Sequence, residues 1–146
     1  ERSAKSYTEL LKKNTKYVPA IFELAHIEVM MDELGKAEEH FRLAADIEPT
    51  PRNYKAFAEF VLQSRKDPER ARGIYLEGLS KTKDDLLLIK YFANFLESID
   101  ERYEAYLYWD AAFKKEPTNK DVQARRDALK GSVQDVINAT DSVKKK

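Results

Sequence analysis

The sequence contains no cysteine. That excludes a disulfide framework, a thiolate metal site and a cysteine nucleophile, and it fits an intracellular setting, cytoplasmic or nuclear. Glycine and proline are scarce, with 4 and 5 copies in 146 residues, so a glycine-rich phosphate loop cannot be assembled and no G-x-S-x-G nucleophile turn occurs. Imidazole is limited to His26 and His40, and neither sits in an HExxH or a histidine-rich tract, which removes the usual zinc and general-base patterns. No apolar run approaches the roughly 20 residues a membrane-spanning helix needs, and no signal-peptide pattern opens the chain. An excess of either charge is also missing. Lys+Arg and Asp+Glu both number 26, so the electrostatic drive for binding a phosphate backbone directly is absent. The sequence calls for no metal, no cofactor and no catalytic activity.

What is present is charge and apolar surface in helix-favouring proportion. Charged residues make up 36% and hydrophobic ones 42%, and long charged side chains keep most of their rotamer freedom on helix surfaces. The length suits one domain, taken as residues 1–141 with a frayed basic tail at 142–146. The chain opens at Glu1 without an initiator Met and closes on Lys144, Lys145 and Lys146, so a piece of a longer protein is expected.

A repeat organises the chain. Ala37, Ala71 and Ala105 stand 34 residues apart, and four residues after each comes an aromatic, Phe41, Tyr75 and Trp109. Three residues further on a small residue returns, as Ala44, Gly78 and Ala112. Small, aromatic and small at i, i+4 and i+7 share one helix face, where small residues admit a neighbouring helix and the aromatic fills the space between. These are the second helices of three hairpins. First helices are expected at Pro19–Met31, Pro51–Arg65 and Asp84–Ser98, with inward stripes of Ile21, Leu24 and Ala25, then Tyr54, Phe57, Ala58 and Val61, then Ile89, Phe92, Ala93 and Leu96. The second stripe is shifted by one residue.

Punctuation agrees. Thr50-Pro51 and Asp67-Pro68 each put a capping side chain before a first-turn proline, and Asp84, Asp100 and Thr118 are further cap candidates. Pro49 and Pro117 close the first and third hairpins, whereas Lys83 takes that place in the second and leaves its exit less defined. Repeats therefore span 18–51, 52–85 and 86–119. Running the period back from Ala37 reaches Ser3, with Tyr7, Leu10 and Leu11 in core phase, as a half repeat over 1–16. A capping helix over 120–141 should cover the third hairpin through Val122, Leu129 and Val133, with Val136 and Ile137 continuing the stripe, Gly131 a possible break and fraying beyond Thr140. The three hairpins and the cap make seven helices.

The 34-residue period with its small-aromatic-small helix and closing proline resembles the tetratricopeptide repeat. The match covers Val18 to Asn119. Repeats two and three are also similar to the half-a-tetratricopeptide variant of RNA-processing scaffolds, through ERARGIYLEGL at 69–79, YKAFAEF at 54–60 and IKYFANFLE at 89–97. Both resemblances imply an all-α fold, a right-handed superhelix of stacked antiparallel hairpins, and a non-catalytic scaffold that holds a protein or peptide segment in its concave groove. The alternative they imply is self-association, as a homodimer.

In such a stack the first helices line the inner curve. The residues placed there are Phe22, His26 and Met30 in the first repeat, Lys55 and Gln63 in the second, and Lys90 and Asn94 in the third. One tetratricopeptide subclass grips the acidic C-terminal peptide of heat-shock chaperones with Lys, Asn and Arg. Here the corresponding places hold Phe22 and His26, then Phe57 or Ala56, then Leu87 and Tyr91, so that clamp is absent. His26 is either a ligand contact or a partly exposed polar residue, and His40 is a spacer in the hairpin interface. Adjacent carboxylates such as Glu38-Glu39 and Asp84-Asp85 point about 100° apart on a helix and cannot face one substrate. In the aromatic run, Trp109 and Phe113 belong to the core, while Tyr103, Tyr106 and Tyr108 are either packed between hairpins or an outer contact patch.

Overall fold

Helix termini leave backbone groups unsatisfied, and at the starts of four helices a side chain supplies a partner. The computed structural model describes residues 2–13 and 17–145. Its helices are α1 Arg2–Lys13, α2 Val18–Met30, α3 Leu34–Ile47, α4 Pro51–Ser64, α5 Pro68–Lys81, α6 Leu86–Ser98, α7 Arg102–Lys115, α8 Lys120–Ser132 and α9 Gln134–Lys144. Among the described residues there is no strand. Among the described residues there are nine helices rather than seven, because the opening half hairpin is a helix of its own and the closing segment is two. The break falls at Val133, beyond Gly131, where a change of direction lets both Leu129 and Val133 be buried. α9 runs past Thr140 to Lys144.

Thr50 and Asp67 cap as their sequence context predicts, accepting from Asn53 N at 3.2 Å and Arg70 N at 3.1 Å. The other three N-cap positions lie one residue later than predicted, and two of them are capped by a side chain. Asp85 rather than Asp84 accepts from Leu87 N and Leu88 N, and Asn119 rather than Thr118 accepts from Asp121 N and Val122 N. Glu101, not Asp100, stands at the start of α7 and makes no side-chain cap. Asp84 and Asp100 instead take left-handed backbone conformations, with φ of 58° and 62°. The turn inside each hairpin uses such a residue at the repeat period, Asp32, Lys66 and Asp100, with φ of 58°, 56° and 62°. The exit of α5 is sharply made after all: Thr82 Oγ1 donates to Gly78 O at 2.9 Å, and Lys83 and Asp84 are both left-handed.

The chain divides into two compact units, Glu1–Lys83 and Asp84–Lys146. In the first, α1 packs on α2, and the hairpins α2/α3 and α4/α5 join through α3 and α4. Ile21, Ala25, Ala37, Phe41, Ala44, Tyr54, Ala58, Val61, Ala71 and Tyr75 are buried there. In α1, Tyr7 is half-buried but Leu10 is 38% exposed, so α1 covers its neighbour less fully than its phase predicts. The side chains of Ser3 and Leu11, and residues 14–16 of the half repeat, lie outside the described residues.

In the second unit α6 and α7 form the hairpin and α8 packs on α7. Its core is Leu88, Ile89, Phe92, Ala93, Leu96, Ala105, Trp109 and Ala112, extended by Val122, Leu129 and Val133. Phe113 is only half-buried, because its ring is covered by the Arg126 guanidinium 3.9 Å from its centroid rather than by apolar atoms. Tyr108 packs edge-on to Phe92 at 4.7 Å within the hairpin.

Candidate functional site

The first helices are apolar on more than one side, so packing each into its hairpin leaves apolar surface on the side turned away from the second helix. In the first unit this surface forms a furrow between α2 and α4. Its floor rests on Phe41, the repeat's own core aromatic, whose ring lies 5.9 Å from Phe22, 5.3 Å from His26 and 5.0 Å from Phe60. Phe22 and His26, one helical turn apart, stack at 6.4 Å with 23° between planes. Two cavities lie along the furrow, of about 420 and 150 Å³, and share His26 and Ala56 in their walls. The larger extends over Val18, Pro19 and Phe22 toward Glu48 and Arg52, and the smaller toward Val29, Phe60 and Gln63.

Asn53 fixes one end of the larger cavity. It is 4% exposed, and its Nδ2 donates to Glu48 O at 2.9 Å, with Ala44 O at a long 3.5 Å. The carboxamide thus ties the third residue of α4 to carbonyls at the end of α3 that also accept from Glu48 N and Thr50 N.

The sequence places seven residues in the groove, and the structure treats them unequally. Phe22, His26 and Gln63 come together in the furrow walls. Met30 is 78% exposed at the end of α2 and lines neither cavity. Lys55 lies 3.5 Å from Glu59 on its own helix. Lys90 and Asn94 belong to the second unit, and both have partners there. Lys90 Nζ donates to Glu116 Oε1 at 2.9 Å, and Asn94 Oδ1 accepts from Arg125 at 2.5 Å. Hydrogen bonds from Asn119 and then Lys90 hold the Glu116 carboxyl below the usual carboxylate value. Of the positions corresponding to a peptide clamp, Phe57 is buried at 3% and lines neither cavity of the furrow, whereas Ala56 lines both.

Sequence reading missed Asn53 and Arg125. Asn53 shows only as an N-terminal helix residue, since the reach of its side chain back to α3 depends on how the hairpins pack. Arg125 lies where the repeat pattern loosens, yet its guanidinium stands 5.0 Å from the Trp109 ring, and Trp109 Nε1 donates to Glu97 Oε2 at 2.8 Å beside it. His40 does lie in the α2/α3 interface, with its Nδ1 2.6 Å from Glu28 Oε1, a carboxylate in a residue only 5% exposed. It partners a buried acid rather than merely filling space. Among the described residues no group of three or more His, Asp or Glu side chains could hold a metal ion, and no helix is long and apolar enough to cross a membrane.

No family model and no curated protein matches the chain. Solved structures do. The chain is similar to the Arabidopsis OM64 TPR domain, with 16% identity and a TM-score of 0.55 over 79% of this chain and 95% of that one. It is also similar to the crystal structure of MamA, with 10% identity and a TM-score of 0.58 over 98% of this chain and 90% of that one. The period, the buried small-aromatic-small faces and these likenesses agree that the chain has the all-α fold of a tetratricopeptide-repeat domain.

Proposed function

We propose that the chain is a non-catalytic docking module that holds a polypeptide segment of a partner protein within a larger assembly, inside the cell. The observation that carries this reading is the furrow between α2 and α4, a preformed concave surface with an aromatic floor. Such surfaces are where peptides gain apolar burial without reorganising their host. Phe22, His26 and Gln63 are the contacts proposed in the furrow, with Met30 and Lys55 beside it. In the second unit Lys90 and Asn94 contribute from the hydrogen-bonded pairs they form with Glu116 and Arg125 respectively. Most of the energy rests on a few of these, and Phe22 is the expected anchor.

The test is affinity capture of the native partner with the full chain, followed by titration of Phe22→Ala, Lys55→Ala and Lys90→Ala, each checked for fold by circular dichroism. A loss of tenfold or more for Phe22→Ala supports the furrow. If affinity survives all three changes but falls when Tyr103 or Tyr106 is altered, the site is the outer aromatic face. An acidic C-terminal chaperone peptide should bind no more tightly than its scrambled control.

A second reading is self-association, including the half-a-tetratricopeptide kind. It is favoured by α9, which buries none of its residues and leaves Val136 and Val143 45% and 73% exposed. Sedimentation at several concentrations separates the two, since a concentration-independent monomer rules out self-association.

A further inference from the structure

The smaller cavity of the furrow is walled in part by His26, Val29 and Phe41 of the first repeat. Two repeat periods on, 68 residues later, the same places hold Asn94, Glu97 and Trp109. In the second unit these three side chains close around a guanidinium. Arg125, on α8, sets its guanidinium carbon 5.0 Å from the centroid of the Trp109 ring. Its Nη1 donates to Asn94 Oδ1 at 2.5 Å and stands 3.4 Å from Glu97 Oε2. The same Glu97 oxygen accepts from Trp109 Nε1 at 2.8 Å, which fixes carboxylate and ring relative to each other. An aromatic face, a carboxylate and an amide oxygen are the groups that recognise a planar, multiply donating cation.

Arg125 is a loosely held occupant. Its side chain is 52% exposed, its contact with Glu97 is at the long end for a hydrogen bond, and exposed ion pairs gain little against the entropy of holding a long side chain. α8 buries Val122 and Leu129 instead, so Arg125 can swing into solvent while the helix stays in place. Building on the docking reading above, we infer that Asn94, Glu97 and Trp109 form a guanidinium site for an arginine of the partner polypeptide, which Arg125 fills while the partner is absent. The tethered Arg125 competes at the effective concentration its helix imposes, so the site favours an arginine delivered by a segment already docked elsewhere on the chain. A carboxylate is repelled by Glu97, and a lysine lacks the flat head that stacks on Trp109 while donating to two acceptors.

The experiment uses the full chain and the emission of Trp109, its one tryptophan, as the reporter. The probes are two end-blocked tripeptides, identical except for a central arginine or a central citrulline, which keeps the shape and loses the charge. Arg125→Ala empties the site, and circular dichroism checks that the helices remain. The arginine peptide is expected to shift Trp109 emission in this variant and to bind about tenfold more tightly than it binds the unmodified chain, where it must displace Arg125. The citrulline peptide should bind the variant about tenfold more weakly than arginine does, and added salt should narrow that gap. Adding Glu97→Gln, which keeps an acceptor for the Trp109 N–H and removes the charge, should abolish the preference. Equal binding of arginine and citrulline by Arg125→Ala overturns the guanidinium site. Equal arginine binding by Arg125→Ala and the unmodified chain overturns the role given to Arg125, and no response at all in the unmodified chain shows the site to be closed by α8 rather than open to a partner. If the captured native partner loses affinity on Phe22→Ala but not on Glu97→Gln, the docking reading stands and the arginine inference is wrong.

Discussion

Arg42 and Glu77, on the second helices of the first two hairpins, face each other as a two-pronged pair, with Nη1–Oε1 of 3.1 Å and Nη2–Oε2 of 2.7 Å. Tyr54 donates to the same carboxylate at 3.1 Å, and Asp46 takes a second contact from Arg42 at 2.8 Å. Burial and the bond to Glu77 push the Tyr54 phenol up to about 12. With the Glu38–Arg70 pair, also between α3 and α5, this network ties one repeat to the next. The Arg42 side chain is 40% exposed, so solvent screening limits the effect, and Glu77→Gln should cost about 1 kcal/mol by thermal or urea unfolding. An unchanged midpoint would show that the pair contributes nothing.

The same carboxylates predict an acid dependence. Burial acts to raise Glu77, but hydrogen bonds from Arg42 and Tyr54 outweigh it and hold the group below its ordinary 4.5. Glu38 is lowered chiefly by its hydrogen bond from Arg70, with Arg65 adding to it against burial. A depressed carboxyl binds fewer protons folded than unfolded, so its contribution is complete above the ordinary value and drains away as pH falls below 4.5 through the folded value. The unfolding midpoint should be flat above that range and fall below it. Replacing both Glu38 and Glu77 by Gln should flatten the decline, and an equally steep decline in the double variant would assign it to other groups.

Lys66 closes the turn between α4 and α5 with φ of 56°, a region that a side chain with Cβ enters at a cost. Glycine removes that cost but loses more entropy on folding, leaving a net gain of about 0.5 kcal/mol. Lys66→Gly should therefore raise the thermal midpoint, and Lys66→Val should lower it. Matching midpoints for the two would mean the turn adapts.

Ala105 is 0% exposed on α7, where its small size sets how near the neighbouring helices approach. Ala105→Leu should cost about 1–3 kcal/mol by overpacking. A retained melting temperature would contradict the assigned repeat phase.

α8 covers the third hairpin with Val122 and Leu129, followed by Val133 at its end, and places Arg126 on Phe113 and Arg125 on Trp109. A chain ending at Asn119 should expose both rings, melt earlier and aggregate, which light scattering during a thermal ramp would register. Equal stability of the shortened chain would reject α8 as a cap.

Some of this was legible in the residues alone, and the division has a physical basis. Ala37, Phe41, Ala44 and their equivalents 34 residues on announced both the hairpins and their buried faces. Helix periodicity is a local property, and a repeated helix meets the same neighbours each time. Helix starts were nearly as plain, because a cap works within three residues of its own chain. Features that depend on where two chain segments meet in space were hidden. Asp84 and Asp85 are equally good caps on paper, and only the turn entering α6 selects Asp85. Phe22 and Asn53 lie 31 residues apart and share a cavity only because α2 and α4 flank it. Likewise Lys90 and Asn94 read as open groove residues until α7 and α8 bring Glu116 and Arg125 against them. The sequence determined the repeat, its helices and its core, since these follow from short-range spacing. Tertiary structure decided which surface side chains are already partnered and which of them line a common cavity, because that depends on distances between segments far apart in the chain.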